Sequence, residues 1–345
     1  MTPTSDPHEA HTTDPVRWRL NIRTSVRRIP AHNECVRVLV TGGTGYLGSA
    51  IVQALVARGH DPVVFARHAT ASGLPGTLVD GDVRDTPAVA SAAAGVDAVC
   101  HSAALVSVWR PDASEFDAIN VGGLQSAIAA VRLHHTPRLV YTSSFLALPP
   151  SDSPRPLTAN HYQRTKVIAR DVAKRAAAEG VPLVALYPGV VYGPGRTTEG
   201  NLVARLMLDR LRGRLPGLIG GDRTWSFCDV GAVADAHVAA VELAAPRSEY
   251  VVGGVNAPQR AIFEFLRDAR GLTVPANIPY ALATLAGAIE EARAAVLRKP
   301  PRLTRGVVDI FRHDWELEST DAQRDLGLRI TPLRDGFERT LASLS

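Results

Sequence analysis

Val36-Arg37-Val38-Leu39-Val40-Thr41-Gly42-Gly43-Thr44-Gly45-Tyr46-Leu47-Gly48 is an apolar run that breaks into a glycine-rich turn. An apolar-periodic stretch from Ala50 to Val56 follows directly. A strand, a glycine turn and a helix in that order make a cradle for pyrophosphate. Glycines let the backbone turn tightly and approach a ligand, and the helix N-terminus presents unpaired N–H groups and partial positive charge to phosphate oxygens. A glycine pattern alone also describes an ordinary tight loop. Its place between strand and helix is what points to a dinucleotide.

Outward from this unit the same alternation continues. Pro62–Ala66, Thr77–Val79, Asp97–Cys100, Arg138–Tyr141 and Pro182–Tyr187 read as strands, with alanine-rich helices around 87–94, 115–133 and 162–179 between them. Short apolar strands alternating with helices predict an α/β fold built on a doubly wound parallel Rossmann sheet. Such sheets bind ligands beyond the strand C-termini.

Composition narrows the function classes. The 345 residues are 46% hydrophobic and 21% charged, with a net charge of +4 from scattered basic residues. That is ordinary for an enzyme core and gives no basic face for nucleic acid. Cys35, Cys100 and Cys228 are far apart and form no Cys-x-x-Cys pair, so neither a disulfide framework nor a metal site is expected and a cytoplasmic setting fits. Residues 1–34, rich in Pro, Thr, His and Arg, read as a disordered tail. Tyr280 to Leu297 is apolar but interrupted by Glu290, Glu291 and Arg293. It is expected to pack on the body as an amphipathic helix, with no membrane as partner.

The end of the second strand bears on cofactor choice. An acidic residue there would bind a ribose 2′-hydroxyl and repel a 2′-phosphate. The chain instead reads Phe65-Ala66-Arg67-His68. With the carboxylate missing and Arg67 available for a charge-assisted pair, NADP(H) is favoured and NAD(H) stays open.

Tyr162-Gln163-Arg164-Thr165-Lys166 places a phenol and an ammonium four residues apart, on one helical face. A neighbouring cation lowers a phenol's pKa towards working pH and makes it a usable proton donor or acceptor. The spacing alone is common. Its partner is Tyr141-Thr142-Ser143-Ser144 at a strand end, where a serine hydroxyl could hold a carbonyl oxygen while the tyrosine protonates it.

Together these segments make the chain resemble an extended short-chain dehydrogenase/reductase, the group containing nucleotide-sugar epimerases and dehydratases, 3β-hydroxysteroid dehydrogenases and dihydroflavonol reductases. The likeness runs in order from about Val36 to about Leu341, through the glycine turn, Gly81-Asp82-Val83, His101-Ser102-Ala103-Ala104, Asn120-Val121-Gly122-Gly123, the Ser144 segment, Tyr162 with Lys166, and Pro188-Gly189-Val190-Val191-Tyr192-Gly193-Pro194-Gly195. The resemblance implies a catalytic set of Ser144, Tyr162, Lys166 and Asn120, with Ser143 as the neighbouring alternative to Ser144. It implies cofactor contacts from Gly42, Thr44, Gly45, Tyr46, Leu47 and Gly48. Asp82 and Val83 would meet the adenine, Ala103 and Ala104 would line the adenosine side, Lys166 would hold the nicotinamide ribose, and Pro188 to Val191 the carboxamide. Two positions depart from the pattern: Leu124 stands where threonine is usual, and Tyr187 replaces a frequent arginine. The second departure weakens the case for an anionic substrate.

The same resemblance divides the chain into a dinucleotide-binding domain at 35–190 plus 226–256 and a substrate-binding region at 191–225 plus 257–345. Val106, Trp109, Phe145, Tyr192, Arg196 and Asn201 are the substrate-side candidates. Their apolar balance points to a lipophilic ketone or secondary alcohol as the small-molecule substrate. A nucleotide-sugar epimerase or dehydratase is the second reading, a non-catalytic nucleotide sensor the third. A homodimer is compatible with either enzyme reading.

Overall fold

The computed structural model describes residues 34–344, so the expected tail lies outside the described residues apart from Glu34. The main sheet holds β1 (Arg37–Thr41), β2 (Asp61–Ala66), β3 (Thr77–Asp80), β4 (Ala98–His101), β5 (Leu139–Thr142), β6 (Leu183–Pro188) and β9 (Glu249–Val252), with β7, β8 and β10 elsewhere. Its order is β3-β2-β1-β4-β5-β6-β9, and every pairing is parallel. The order reverses between β1 and β4, and a ligand crevice opens at that switch point. Thr41 is in register with both Phe65 and His101, so the chain leaves β1, β2 and β4 at one common edge.

Helices cover both faces. On one side α1 (Tyr46–Ala57) packs against α7 (Val230–Glu242); on the other, α2 (Thr86–Ala92) packs against α4 (Gly123–His134), which is preceded by α3 (Ser114–Asp117) and adjoins α5 (His161–Ala178). Strands such as β4, β5 and β6 are buried along their whole length, which is why they read as continuous apolar runs rather than alternating ones. The starts of α2, α5 and α7 are set by polar caps: Asp85 accepts from the Ala88 N–H, Asn160 from Gln163 and Asp229 from Gly231 and Ala232.

A second, three-stranded sheet was not legible in the sequence. It joins β7 (Val190–Tyr192), β8 (Thr224–Asp229) and β10 (Val255–Pro258) in the order β10-β8-β7. Residues 226–229, grouped by sequence with the larger domain, therefore pair in the smaller sheet. Around it pack α6 (Leu202–Leu211), α8 (Ala261–Arg270), α10 (Arg305–Ile310) and α12 (Leu333–Ala342), with α9 (Tyr280–Leu297) seated on α10, whereas α11 (Thr320–Leu326) lies against β9 and α7. Its core is aromatic, with Phe145, Tyr192, Trp225, Phe227, Phe263, Trp315 and Phe337 in one cluster.

Candidate active site

The glycine turn closes the deep end of the crevice. Gly42 has φ +70°, a conformation that a side chain would strain, and a Cβ there would lie 2.6 Å from the Ala103 Cα. The turn and the segment after β4 thus touch backbone to backbone. Gly45 caps α1, which has neither a side-chain cap nor an acidic residue in its first turn, so those N–H groups are left for a ligand.

Tyr46 is buried, and its hydroxyl donates to the Gly193 carbonyl at 3.2 Å. It ties the turn to the segment after β7. Thr44 and Leu47 are half-buried on the same turn. Pro188 ends β6, buried, while Val191 in β7 is half-buried.

At the β2 end of the crevice, Arg67 follows the strand and is exposed. Asp82 is engaged by a residue that sequence reading missed: Arg84 forks onto its carboxylate at 3.0 and 2.6 Å. That contact holds the Asp82 carboxyl below its usual range, with Arg67 adding to the pull. The signal available was only an arginine two residues beyond the aspartate. Val83 is buried against the core of that face, and Ala103 and Ala104 are half-buried above it.

At the other end, α5 brings Tyr162 and Lys166 against the end of β5. The Ser144 hydroxyl, which accepts from the Leu146 N–H at 3.2 Å, neighbours the Tyr162 phenol, whereas the Ser143 hydroxyl faces Tyr141. Of the two serines, Ser144 is the one beside Tyr162. Lys166 is buried; its Nζ donates to the Thr142 carbonyl at 3.3 Å and lies 5.8 Å from the Tyr162 ring centroid. Thr142 is itself anchored, its Oγ1 2.8 Å from the buried His237 Nε2. Burial pushes the Tyr162 phenol up to about 12, with Ser144 pulling the other way. The lowering expected from Lys166 is not found: burial dominates, and the group pulling against it is Ser144. Burial also pushes the Lys166 ammonium down to about 8, and it meets no carboxylate among the described residues.

Asn120 sits in a π-helical turn, Ala118–Gly122, a local irregularity common at functional sites. Its Oδ1 accepts from the Leu105 N–H at 2.7 Å, while Nδ2 donates to the Leu105 carbonyl and to Thr165 Oγ1 at 3.3 and 2.9 Å. The amide is spent on protein partners. It braces the Leu105 loop against the helix that carries Tyr162 and Lys166.

The substrate-side candidates divide. Val106 and Arg196 are exposed and Trp109 is half-buried. Tyr192 presents no surface: it packs edge-on against Phe227 and Phe337, and its hydroxyl lies where a Cβ on Gly336 would fall. Asn201 is equally buried, capping α6 and donating to the Gly193 carbonyl. Phe145 meets Trp225 at a tilt and Trp315 edge-on within the aromatic core. In the structure all three are engaged in packing or capping.

The profile of the NAD-dependent epimerase/dehydratase family matches residues 38–253. The chain belongs to that family. As an NAD(P)-dependent enzyme of the extended short-chain dehydrogenase/reductase type, it is 32% identical over 332 residues to the 2-alkyl-3-oxoalkanoate reductase of Stenotrophomonas maltophilia, covering 89% of this chain and 99% of that protein. It is 28% identical over 324 residues to sterol demethylase protein B of Methylococcus capsulatus, covering 88% and 97%. The solved UDP-glucose 4-epimerase of Thermus thermophilus with NAD overlays at a TM-score of 0.67, with 24% identity, covering 89% of this chain and 98% of that one. A nicotinamide cofactor fits the uncapped start of α1 at one end and the buried, acid-free Lys166 ammonium at the other.

The Lys166 environment has a consequence for this epimerase/dehydratase-family chain. An unfolded lysine keeps its proton up to the ordinary 10.5, but buried Lys166 gives it up above about 8. Between those values the unfolded chain binds more protons, so this group makes stability rise with pH. The wild-type protein is expected to gain melting temperature relative to Lys166→Met as pH increases from about 8 towards 10 without cofactor. Thermal scans across that range check it; parallel curves for the two proteins would contradict it.

Proposed function

We propose that the protein is an NADP(H)-preferring oxidoreductase acting on a ketone or secondary alcohol of a lipophilic small molecule. The observation that carries this reading is the meeting of Ser144, Tyr162 and Lys166 at the crevice edge. The nicotinamide ring, when bound, supplies or accepts the hydride. Ser144 donates a hydrogen bond that fixes the carbonyl oxygen. Tyr162 transfers its phenolic proton to that oxygen in reduction and takes it back in oxidation. Lys166 holds the ribose and, charged, favours the phenolate that remains.

The apolar substrate reading draws support from what the arginines do. A sugar diphosphate brings two negative charges that need matching cations once desolvated. Arg223 is paired with Asp314 at 3.0 Å, and Arg210 is bonded to Thr273 at 2.6 and 2.9 Å. Neither is free to join Arg196 without breaking those contacts. The relative named for 2-alkyl-3-oxoalkanoates, keto acids with alkyl chains, leans the same way. NADPH consumption with a panel of apolar ketones tests the reading. A melting shift with nucleotide diphosphates, and none with ketones, would favour an epimerase or dehydratase instead.

Cofactor preference rests on Ala66 and Arg67, with Arg84 as a second cation beside Asp82. A charge-assisted hydrogen bond to a 2′-phosphate is worth about 1.5–3 kcal/mol, or roughly tenfold to a hundredfold in affinity. Arg67→Ala is expected to remove most of that preference and leave NADH binding nearly unchanged. Titration of both proteins with both cofactors checks it. Tighter NADH than NADPH binding by the wild type would contradict the assignment.

A further inference from the structure

The apolar helix α9 is barely buried. It packs through small residues, Ala283, Gly287 and Ala294, and a Cβ on Gly287 would lie 2.9 Å from the Arg305 backbone nitrogen. The large side chains point the other way: Leu282, Leu285, Ile289 and Val296 are 59, 59, 60 and 81% exposed. Their spacing of three, four and seven puts them on one face. The sequence predicts a helix packed on the body; the structure seats it there by its small residues and leaves its large apolar stripe uncovered.

Charge says what would cover it. Glu290 and Glu291, the acids of this helix, are already bound to Arg293 and Arg305, each at 2.7 Å. Arg298 and Lys299 follow the stripe directly, exposed and with no acidic partner among the described residues. An apolar stripe on neutralised ground ending in free cations matches a surface that is oily inside and anionic at its rim. No helix among the described residues is long and apolar enough to cross a membrane, so this one would lie on a bilayer rather than span it.

We propose that α9 is a docking surface for an anionic lipid bilayer, with Leu282, Leu285, Ile289 and Val296 entering the acyl boundary and Arg298 and Lys299 meeting the headgroups. The stripe is mechanically close to the active site. α9 packs on α10, and a Cβ on Gly306 would lie 2.2 Å from the Ala159 carbonyl, three residues before Tyr162. The proposal does not depend on the substrate reading and can fail separately from it.

Co-sedimentation of the full chain with vesicles of phosphatidylcholine and phosphatidylglycerol tests it. The expected result is binding that weakens with added salt and with pure phosphatidylcholine. Leu285→Glu with Ile289→Glu should reduce partition by about tenfold or more, and Arg298→Glu with Lys299→Glu by about tenfold on anionic vesicles. All four positions are exposed, and unchanged circular dichroism confirms the fold of each variant. No vesicle binding by the wild type would overturn the proposal. So would binding unaffected by the stripe variant, which would place it on another basic segment. A dimer that Leu285→Glu dissociates, without vesicle binding, would assign the stripe to a second copy and overturn it equally.

Discussion

Tyr162→Phe is expected to lower kcat by about 100-fold or more while nucleotide affinity stays nearly unchanged. The ring remains, so its packing beside Lys166, 5.8 Å from the centroid, survives. What goes is the phenolic proton that the proposed mechanism transfers to the carbonyl oxygen. Burial keeps the phenol protonated, at about 12, so at neutral pH it is poised as a donor. The glycine turn and Lys166, which would hold the nucleotide, are untouched. Steady-state kinetics with the preferred ketone and a cofactor titration separate the two effects. Near-normal turnover would remove Tyr162 from the mechanism.

Gly48→Ala should damage nucleotide binding although the substitution favours the helix. Alanine gains about 1 kcal/mol over glycine in a helix interior. Here, however, the new methyl would lie 2.1 Å from the Gly42 carbonyl oxygen and 2.9 Å from the Gly43 Cα. Those are backbone atoms of the turn, with no rotamer to swing aside. Overpacking of this kind typically costs about 1–3 kcal/mol and shifts the backbone that forms the cradle. A loss of NADPH affinity of about tenfold or more, with a lower melting temperature, is the expected outcome. Isothermal titration and a thermal scan check it, and wild-type affinity in this variant would mean that α1 approaches the ligand differently.

The main sheet was legible because its central strands are buried on both faces. Val63-Val64-Phe65 and Leu183-Val184-Ala185-Leu186 leave no other reading once helices alternate with them. The small sheet was not, since β7 has three residues and finds β8 more than thirty residues later. Nor can a sequence tell an apolar core from an apolar pocket. Tyr192 and Phe145 flank the motifs in sequence, and in the structure both sit in the aromatic core. Asn120 was found by its motif, but its bracing role depends on Leu105 and Thr165 meeting it from two other segments. Arg84 declared itself only once Asp82 had folded back onto it.

The most direct measurement follows the hydrogen itself. The wild-type protein would be given NADPH carrying deuterium at nicotinamide C4, on each face in turn, with an apolar ketone. Mass spectrometry of the alcohol should find deuterium on the carbinol carbon from one face only, with one NADPH consumed per alcohol formed. Turnover of a nucleotide-sugar with no net cofactor consumption, and no label in any ketone product, would contradict the account.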